Sequence, residues 1–144
     1  MLNILLLHGP NLNFLGERET KIYGALTLPQ INRKIRAFAK ANGITVKIFQ
    51  SNCEGRLIDL IYRHRRWASG IVINPAAYTH YSYALRDALK ASNLPAVEAH
   101  LSDVKKREPF RRISVTRPAC VGQISGLGWQ SYIRALDFLK KRLS

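Results

Sequence analysis

The chain has 144 residues, 47% of them hydrophobic, and 23 Lys and Arg against 9 Asp and Glu give a formal net charge of +14. That size suits a single domain, expected over residues 1–144 around one core, and the composition excludes a disordered chain. No apolar run reaches the ~18 residues of a membrane span. Two cysteines, Cys53 and Cys120, make no disulfide framework, so a reducing, cytoplasmic setting is expected.

Leu2-Asn3-Ile4-Leu5-Leu6-Leu7 reads as a strand buried on both faces, because a half-exposed strand would alternate apolar with polar residues. It lacks the basic flank and small-residue cleavage site of a signal peptide. His8-Gly9-Pro10-Asn11-Leu12-Asn13 then opens a polar segment that runs past Arg18 to Tyr23-Gly24. A loop that long in a compact domain is commonly functional. Thr27-Leu28-Pro29-Gln30 has the pattern of a capping box with Pro in the first turn. Ile31, Ile35, Phe38 and Ala39 continue at helical spacing, and Asn42-Gly43 supplies the stop.

Ile44 to Phe49 is the second expected strand, and Leu57, Ile58, Ile61 and Tyr62 mark one face of a second helix, expected to end near Trp67. Gly70-Ile71-Val72-Ile73 is the third strand. A helix bearing Ala84, Leu85, Ala88 and Leu89 follows, then a fourth strand over Pro95 to His100. Residues 101 to 118 read as a basic loop. Ala119 to Ile124 is expected as the fifth strand, and Tyr132, Ile133, Leu136 and Leu139 mark the last helix. Strands alternating with helices imply parallel pairing through right-handed crossovers. The expected fold is α/β: a three-layer sandwich with a five-stranded parallel sheet in flavodoxin-like order.

In such sheets ligands bind at the carboxyl ends of the strands, near a topological switch point. Asn11, Arg18 and Tyr23 follow the first strand, Asn52 the second, Asn74 and His80 the third, and His100 and Ser102 the fourth. Singly, each is the polar residue that any strand end carries. Together, amides, histidines, a tyrosine and an arginine on one rim suit acid–base chemistry. The chain has no His-Glu-x-x-His, zinc-type Cys/His spacing, Gly-x-Ser-x-Gly elbow, Walker loop or dinucleotide fingerprint, so no metal or cofactor is expected.

The basic excess gathers at Arg63, Arg65 and Arg66, at Lys105, Lys106, Arg107, Arg111 and Arg112, and at Lys140, Lys141 and Arg142. The first and third clusters fall near expected helix ends, where cations suit the helix dipole. RNP aromatics, zinc-finger spacing and a recognition-helix motif are all missing, so nucleic acid is not expected as a partner despite the charge. A flavodoxin-like module binding a flavin, a phosphate ligand or nucleic acid stands as the alternative.

His-Gly-Pro-Asn-Leu-Asn at 8 to 13, Gly-Glu-Arg-Glu at 16 to 19, Ile-Tyr-Gly at 22 to 24 and Gln-Ser-Asn at 50 to 52 form a series of blocks. Asn-Pro-Ala-Ala-Tyr-Thr-His at 74 to 80, Glu-Ala-His-Leu-Ser at 98 to 102 and Gly-Gln-Ile-Ser-Gly-Leu-Gly at 122 to 128 continue it. In this order, over nearly the whole chain, they resemble type II 3-dehydroquinate dehydratase. The resemblance implies loss of water from 3-dehydroquinate to give 3-dehydroshikimate, in the shikimate route to aromatic amino acids or in quinate breakdown. It implies neither a metal nor a Schiff-base lysine.

Such a reaction removes a proton α to a ketone, holds an enolate and protonates a departing hydroxyl. By resemblance Tyr23 is the base, with Arg18 beside it to favour the phenolate, and His100 is the general acid, oriented by Glu98 from the same strand face. Asn11 matches the amide that helps hold the enolate through a water. Asn74, His80, Leu101, Ser102 and Arg111 match substrate-binding positions, and Asp87 one that contributes from a neighbouring subunit, in a homododecamer built from trimers. On their own residue types, Asp87 and Arg111 read as surface charges and Tyr23 as a packed aromatic. Thr20 stands where Pro is common in the family, and Cys53 where His is common.

Overall fold

In the computed structural model, which describes residues 2–144, β1 (Leu2–His8) sends Ile4 and Leu6 to one face of the sheet and Leu5 and Leu7 to the other. All four are fully buried, as the unbroken apolar run requires. After β1 come a single helical turn, α1 (Thr20–Tyr23), then α2 (Leu28–Ala41), β2 (Ile44–Gln50), α3 (Glu54–His64) and β3 (Gly70–Asn74). The chain continues through α4 (Tyr83–Ser92), β4 (Ala96–His100), β5 (Gly122–Ser125) and α5 (Gln130–Leu143). The five strands are parallel and lie in the order β2-β1-β3-β4-β5, the flavodoxin-like arrangement expected from sequence.

Two apolar layers make the sandwich. On one side Ile4, Leu6, Val72 and Val97 pack against Ile31 and Ile35 of α2 and Leu136 of α5. On the other, Leu5, Leu7, Ile71 and Ile73 meet Leu57 and Ile61 of α3 and Leu85 and Leu89 of α4. Local chemistry starts the helices where the core needs them. Gln30 N–H donates to Thr27 Oγ1 at 3.4 Å and Thr27 N–H to Gln30 Oε1 at 2.9 Å, a complete capping box of the kind worth about 1 kcal/mol. Ser82 caps α4 by accepting Leu85 N–H at 3.0 Å.

Three expectations are corrected. The fifth strand begins at Gly122, not Ala119, because the Arg117–Ala119 3-10 turn takes the N–H groups of Ala119 and Cys120 for the Thr116 and Arg117 carbonyls. The second helix stops at His64, short of Trp67; His64 Nδ1 donates back to the Leu60 carbonyl at 2.8 Å. Nor are the two long loops irregular throughout. The first holds a 3-10 turn at Leu12–Phe14 as well as α1, and the basic one holds 3-10 turns at Val104–Lys106 and Pro109–Arg111. Among the described residues no helix is long and apolar enough to cross a membrane.

Candidate active site

The carboxyl ends of β1, β3 and β4 floor a cavity of about 120 Å³. It opens beside the β1–β3 pair, where His8 and Asn74 are register partners and the strand order reverses. The floor is tight. Gly9 N–H donates to the Asn74 carbonyl at 2.7 Å, and a Cβ at Gly9 would stand 2.6 Å from the Pro75 carbonyl oxygen. Chain direction turns sharply just after it, at Asn11, whose φ of 67° is left-handed. Asn52 Oδ1 holds that turn, accepting Asn11 N–H at 3.0 Å and Gln50 Nε2–H at 3.1 Å.

Tyr23 ends α1 and faces the cavity with Arg18 against it. Arg18 Nη2 donates to the Tyr23 hydroxyl at 3.1 Å, and its guanidinium carbon lies 4.2 Å from the ring centroid. A second guanidinium, that of Arg107, stands 5.3 Å from the same ring. Two guanidinium groups therefore flank this phenol, and one of them donates to its oxygen.

His100 closes β4, and its Nε2–H donates to Glu98 Oε2 at 2.8 Å. Glu98 is fully buried, yet its carboxylate is well satisfied: Ser114 Oγ donates at 2.9 Å, Gln123 Nε2 at 2.7 Å, and the Thr116 hydroxyl as well. Burial by itself would push this carboxyl up. The hydrogen bond and charge of His100, with those of Thr116 and Gln123, outweigh burial and hold it down at about 2. An ionised, immobile carboxylate thus sits behind the imidazole.

The remaining wall suits an anion. Arg18, Arg107 and Arg111 line the cavity with His80 and His100, and no acidic side chain does. His80 Nδ1 donates to the Ile113 carbonyl at 2.7 Å; burial lowers its pKa, that carbonyl opposes the change, and His100 and Arg111 add to it. Arg107 Nη1 donates to Ser102 Oγ at 3.1 Å, while Arg111 Nε lies 2.8 Å from Glu108 Oε2 as an ion pair rather than an aligned hydrogen bond. Leu101, buried, completes this wall.

Of the residues expected from sequence, Asn11, Arg18, Tyr23, Asn74, His80, His100, Leu101, Ser102 and Arg111 all meet at this one cavity, with Glu98 directly beneath. Asp87 does not: it is exposed on α4, outside the lining. Arg107 was legible only as one charge of a basic cluster. Gln123 is the register partner of Glu98 across β4–β5, a pairing the sequence does not announce, and Ser114 and Thr116 reach Glu98 from a loop that no periodicity describes. Among the described residues no group of three His, Cys, Asp or Glu is placed to hold a metal ion.

Comparison with known proteins agrees with this architecture. The family described as Dehydroquinase class II matches residues 2–140. A 3-dehydroquinate dehydratase of Carboxydothermus hydrogenoformans is 53% identical over 98% of this chain and 94% of its own length. One from Clostridium botulinum is 50% identical over 100% of this chain and 98% of its own. The crystal structure of the type II dehydroquinase from Butyrivibrio crossotus superposes with a TM-score of 0.94 at 50% identity, covering 96% of this chain and 97% of that one. With the family matched along almost its whole length and the fold shared throughout, the chain belongs to the class II dehydroquinases.

Proposed function

We propose that the chain dehydrates 3-dehydroquinate to 3-dehydroshikimate, the shikimate-pathway step, through an enolate, with Tyr23 as base and His100 as general acid. The observation that carries this is the pairing of a cation-flanked phenol with a carboxylate-backed imidazole on one small, basic cavity. The phenolate of Tyr23 takes the proton α to the ketone, and the C–H electrons move to the carbonyl oxygen as the enolate forms. Asn11, which lines the cavity with a left-handed backbone, holds that oxygen through a water. The enolate then reforms the ketone and expels the β-hydroxyl, which leaves as water with a proton from His100. With Nε2–H committed to Glu98, the imidazolium donates from Nδ1, and ionised Glu98 is its counter-ion.

Asn74, His80, Ser102, the Leu101 backbone and Arg111 bind the ring hydroxyls and the carboxylate. The cavity falls below the ~300 Å³ at which drug-sized sites begin, which favours one small ring over a flavin. The test is direct: 3-dehydroquinate is added and the ultraviolet absorbance of the conjugated enone product is followed. No absorbance gain with authentic substrate overturns the reading.

The chain also works as a homo-oligomer, in the family's dodecameric pattern, in this reading. Tyr62, Tyr81, Tyr83, Phe110 and Ile113 are each more than 60% exposed, and they sit on α3, at the start of α4 and in the loop near residue 111. So many large apolar side chains on one chain are what an interface between copies requires. Asp87 lies on the same helix as Tyr83, so this contact is its route to a neighbouring cavity.

A further inference from the structure

From Asn74 a line of polar groups runs beneath the cavity to Tyr132, His8 and Asn32, none of which lines it. His8 ends β1, completely buried, and its Nδ1 lies 2.9 Å from the hydroxyl oxygen of Tyr132 on α5, itself completely buried. His8 Nε2 is 2.8 Å from Asn32 Oδ1 on α2. The same Tyr132 oxygen is 3.0 Å from Asn74 Nδ2, and Asn74 Oδ1 accepts Ala76 N–H at 3.0 Å.

The proton directions follow from one fixed donor. A backbone N–H can only donate, so Ala76 sets which end of the Asn74 amide is oxygen and turns its NH2 toward Tyr132. Tyr132 must accept there, and its own proton therefore goes to His8 Nδ1. His8 is then the neutral Nε2–H tautomer and donates to Asn32. Burial, opposed by the bond to Asn32, lowers the His8 pKa to about 4, in keeping with a neutral ring. Every hydrogen bond in the line has one sense, and both nitrogens of His8 and the Tyr132 hydroxyl are partnered. One N–H of Asn74 remains for the cavity that Asn74 lines.

We propose that Tyr132 and His8 are positioning residues for substrate binding: they act through Asn74, locking its carboxamide so that its remaining N–H meets an oxygen of the bound ring. The proposal rests on the reading that the cavity takes 3-dehydroquinate. Without the Tyr132 hydroxyl, the Asn74 side chain keeps the hold of Ala76 but loses the partner that fixes its plane. Substrate then has to order the amide on binding, which raises KM and leaves the proton transfers alone.

The experiment is a double-mutant cycle on kcat and KM with 3-dehydroquinate, using wild type, Tyr132→Phe, Asn74→Ala and the pair together. Tyr132→Phe keeps the ring and removes only the hydroxyl. It should raise KM roughly tenfold, the effect of about one lost hydrogen bond, with kcat within about twofold. In the Asn74→Ala background the same change should raise KM no further. Independent, additive effects, or an unchanged KM in Tyr132→Phe, overturn the proposal. If Tyr132→Phe does not fold, Asn32→Ala removes the far end of the line from a half-buried helix position and is read in the same cycle. A wild-type chain that does not turn over 3-dehydroquinate sinks the functional reading instead, so the two failures are distinct.

Discussion

Glu98 and His100, two residues apart on β4 and both buried, share one hydrogen bond of 2.8 Å, and the carboxylate's pKa is held down at about 2. Glu98→Gln keeps the shape and takes away the charge. With no charge behind the imidazole and only a neutral amide to hold it, kcat should fall ~10²-fold while KM moves little. Steady-state kinetics decide it. Equal losses in kcat for Glu98→Gln and Ser114→Ala would mean that packing, not charge, is what Glu98 supplies.

The reacting groups themselves have separate predictions. In the proposed mechanism Tyr23→Phe removes the base and His100→Ala the acid, and each should lower kcat by ~10²–10⁴-fold with a much smaller change in KM. Arg18→Ala should resemble Tyr23→Phe, because its Nη2 is the donor on the phenol oxygen. Unchanged turnover in all three variants would reduce the rim to ordinary surface polarity.

Turnover should survive EDTA, and also borohydride added with substrate. No lysine lines the cavity, so no amine is placed to form an imine that borohydride could trap. Substrate-dependent inactivation by borohydride would point to Schiff-base chemistry and away from the phenol base.

Acid should destabilise the fold in two stages. Above pH 6.5 His8 is neutral in both the folded and unfolded chain, but between 6.5 and about 4 the unfolded chain takes a proton that the folded one refuses. Stability is therefore full above 6.5 and lost as pH falls, by about 3 kcal/mol in all. Glu98 acts in the same direction lower down, its contribution lost as pH drops from the ordinary carboxylate value of 4.5 toward about 2. Urea unfolding at several pH values should show the first slope, and His8→Gln should flatten it. The same slope in that variant would assign it to another group.

Assembly should depend on salt. With +14 on each chain, copies repel unless their basic clusters face solvent, and added salt screens that repulsion. Light scattering across a salt series should find an oligomer that becomes more stable as ionic strength rises, and Tyr83→Glu should weaken it. A fully active monomer at every ionic strength would refute both the interface and a cross-subunit role for Asp87.

Strand order and the site's location were legible because both follow from alternation. Once Leu2–Leu7 and Gly70–Ile73 read as buried parallel strands, Asn11, Asn74 and His100 had to come out on one edge. Thr27 and Gln30 announced α2 through side-chain chemistry confined to four residues. What was not legible depends on distant parts of the chain. His8 and Tyr132 are 124 positions apart, and neither residue's type says that it will meet the other. Ser114 and Thr116 reach Glu98 from a loop shaped by 3-10 turns and by the Val115 N–H bond to the Thr79 carbonyl. The late start of β5 turned on the Arg117–Ala119 turn, which uses the N–H groups that a strand from Ala119 would have given to its neighbour.

The contact of Gly9 with Pro75 sets how this enzyme's specificity can change. Its floor is two backbones already touching, so no substitution there makes room, and any side chain at position 9 would drive β1 and β3 apart. Space for a larger ring has to come from the wall, at Val104, whose side chain can be trimmed and which belongs to a turn rather than to the sheet. Selection for a larger substrate from libraries randomised at positions 9 and 104 should return glycine at position 9 every time and alanine or glycine at 104. Adaptation to new substrates would then be confined to one side of the molecule, and its ancestry would stay written in the other.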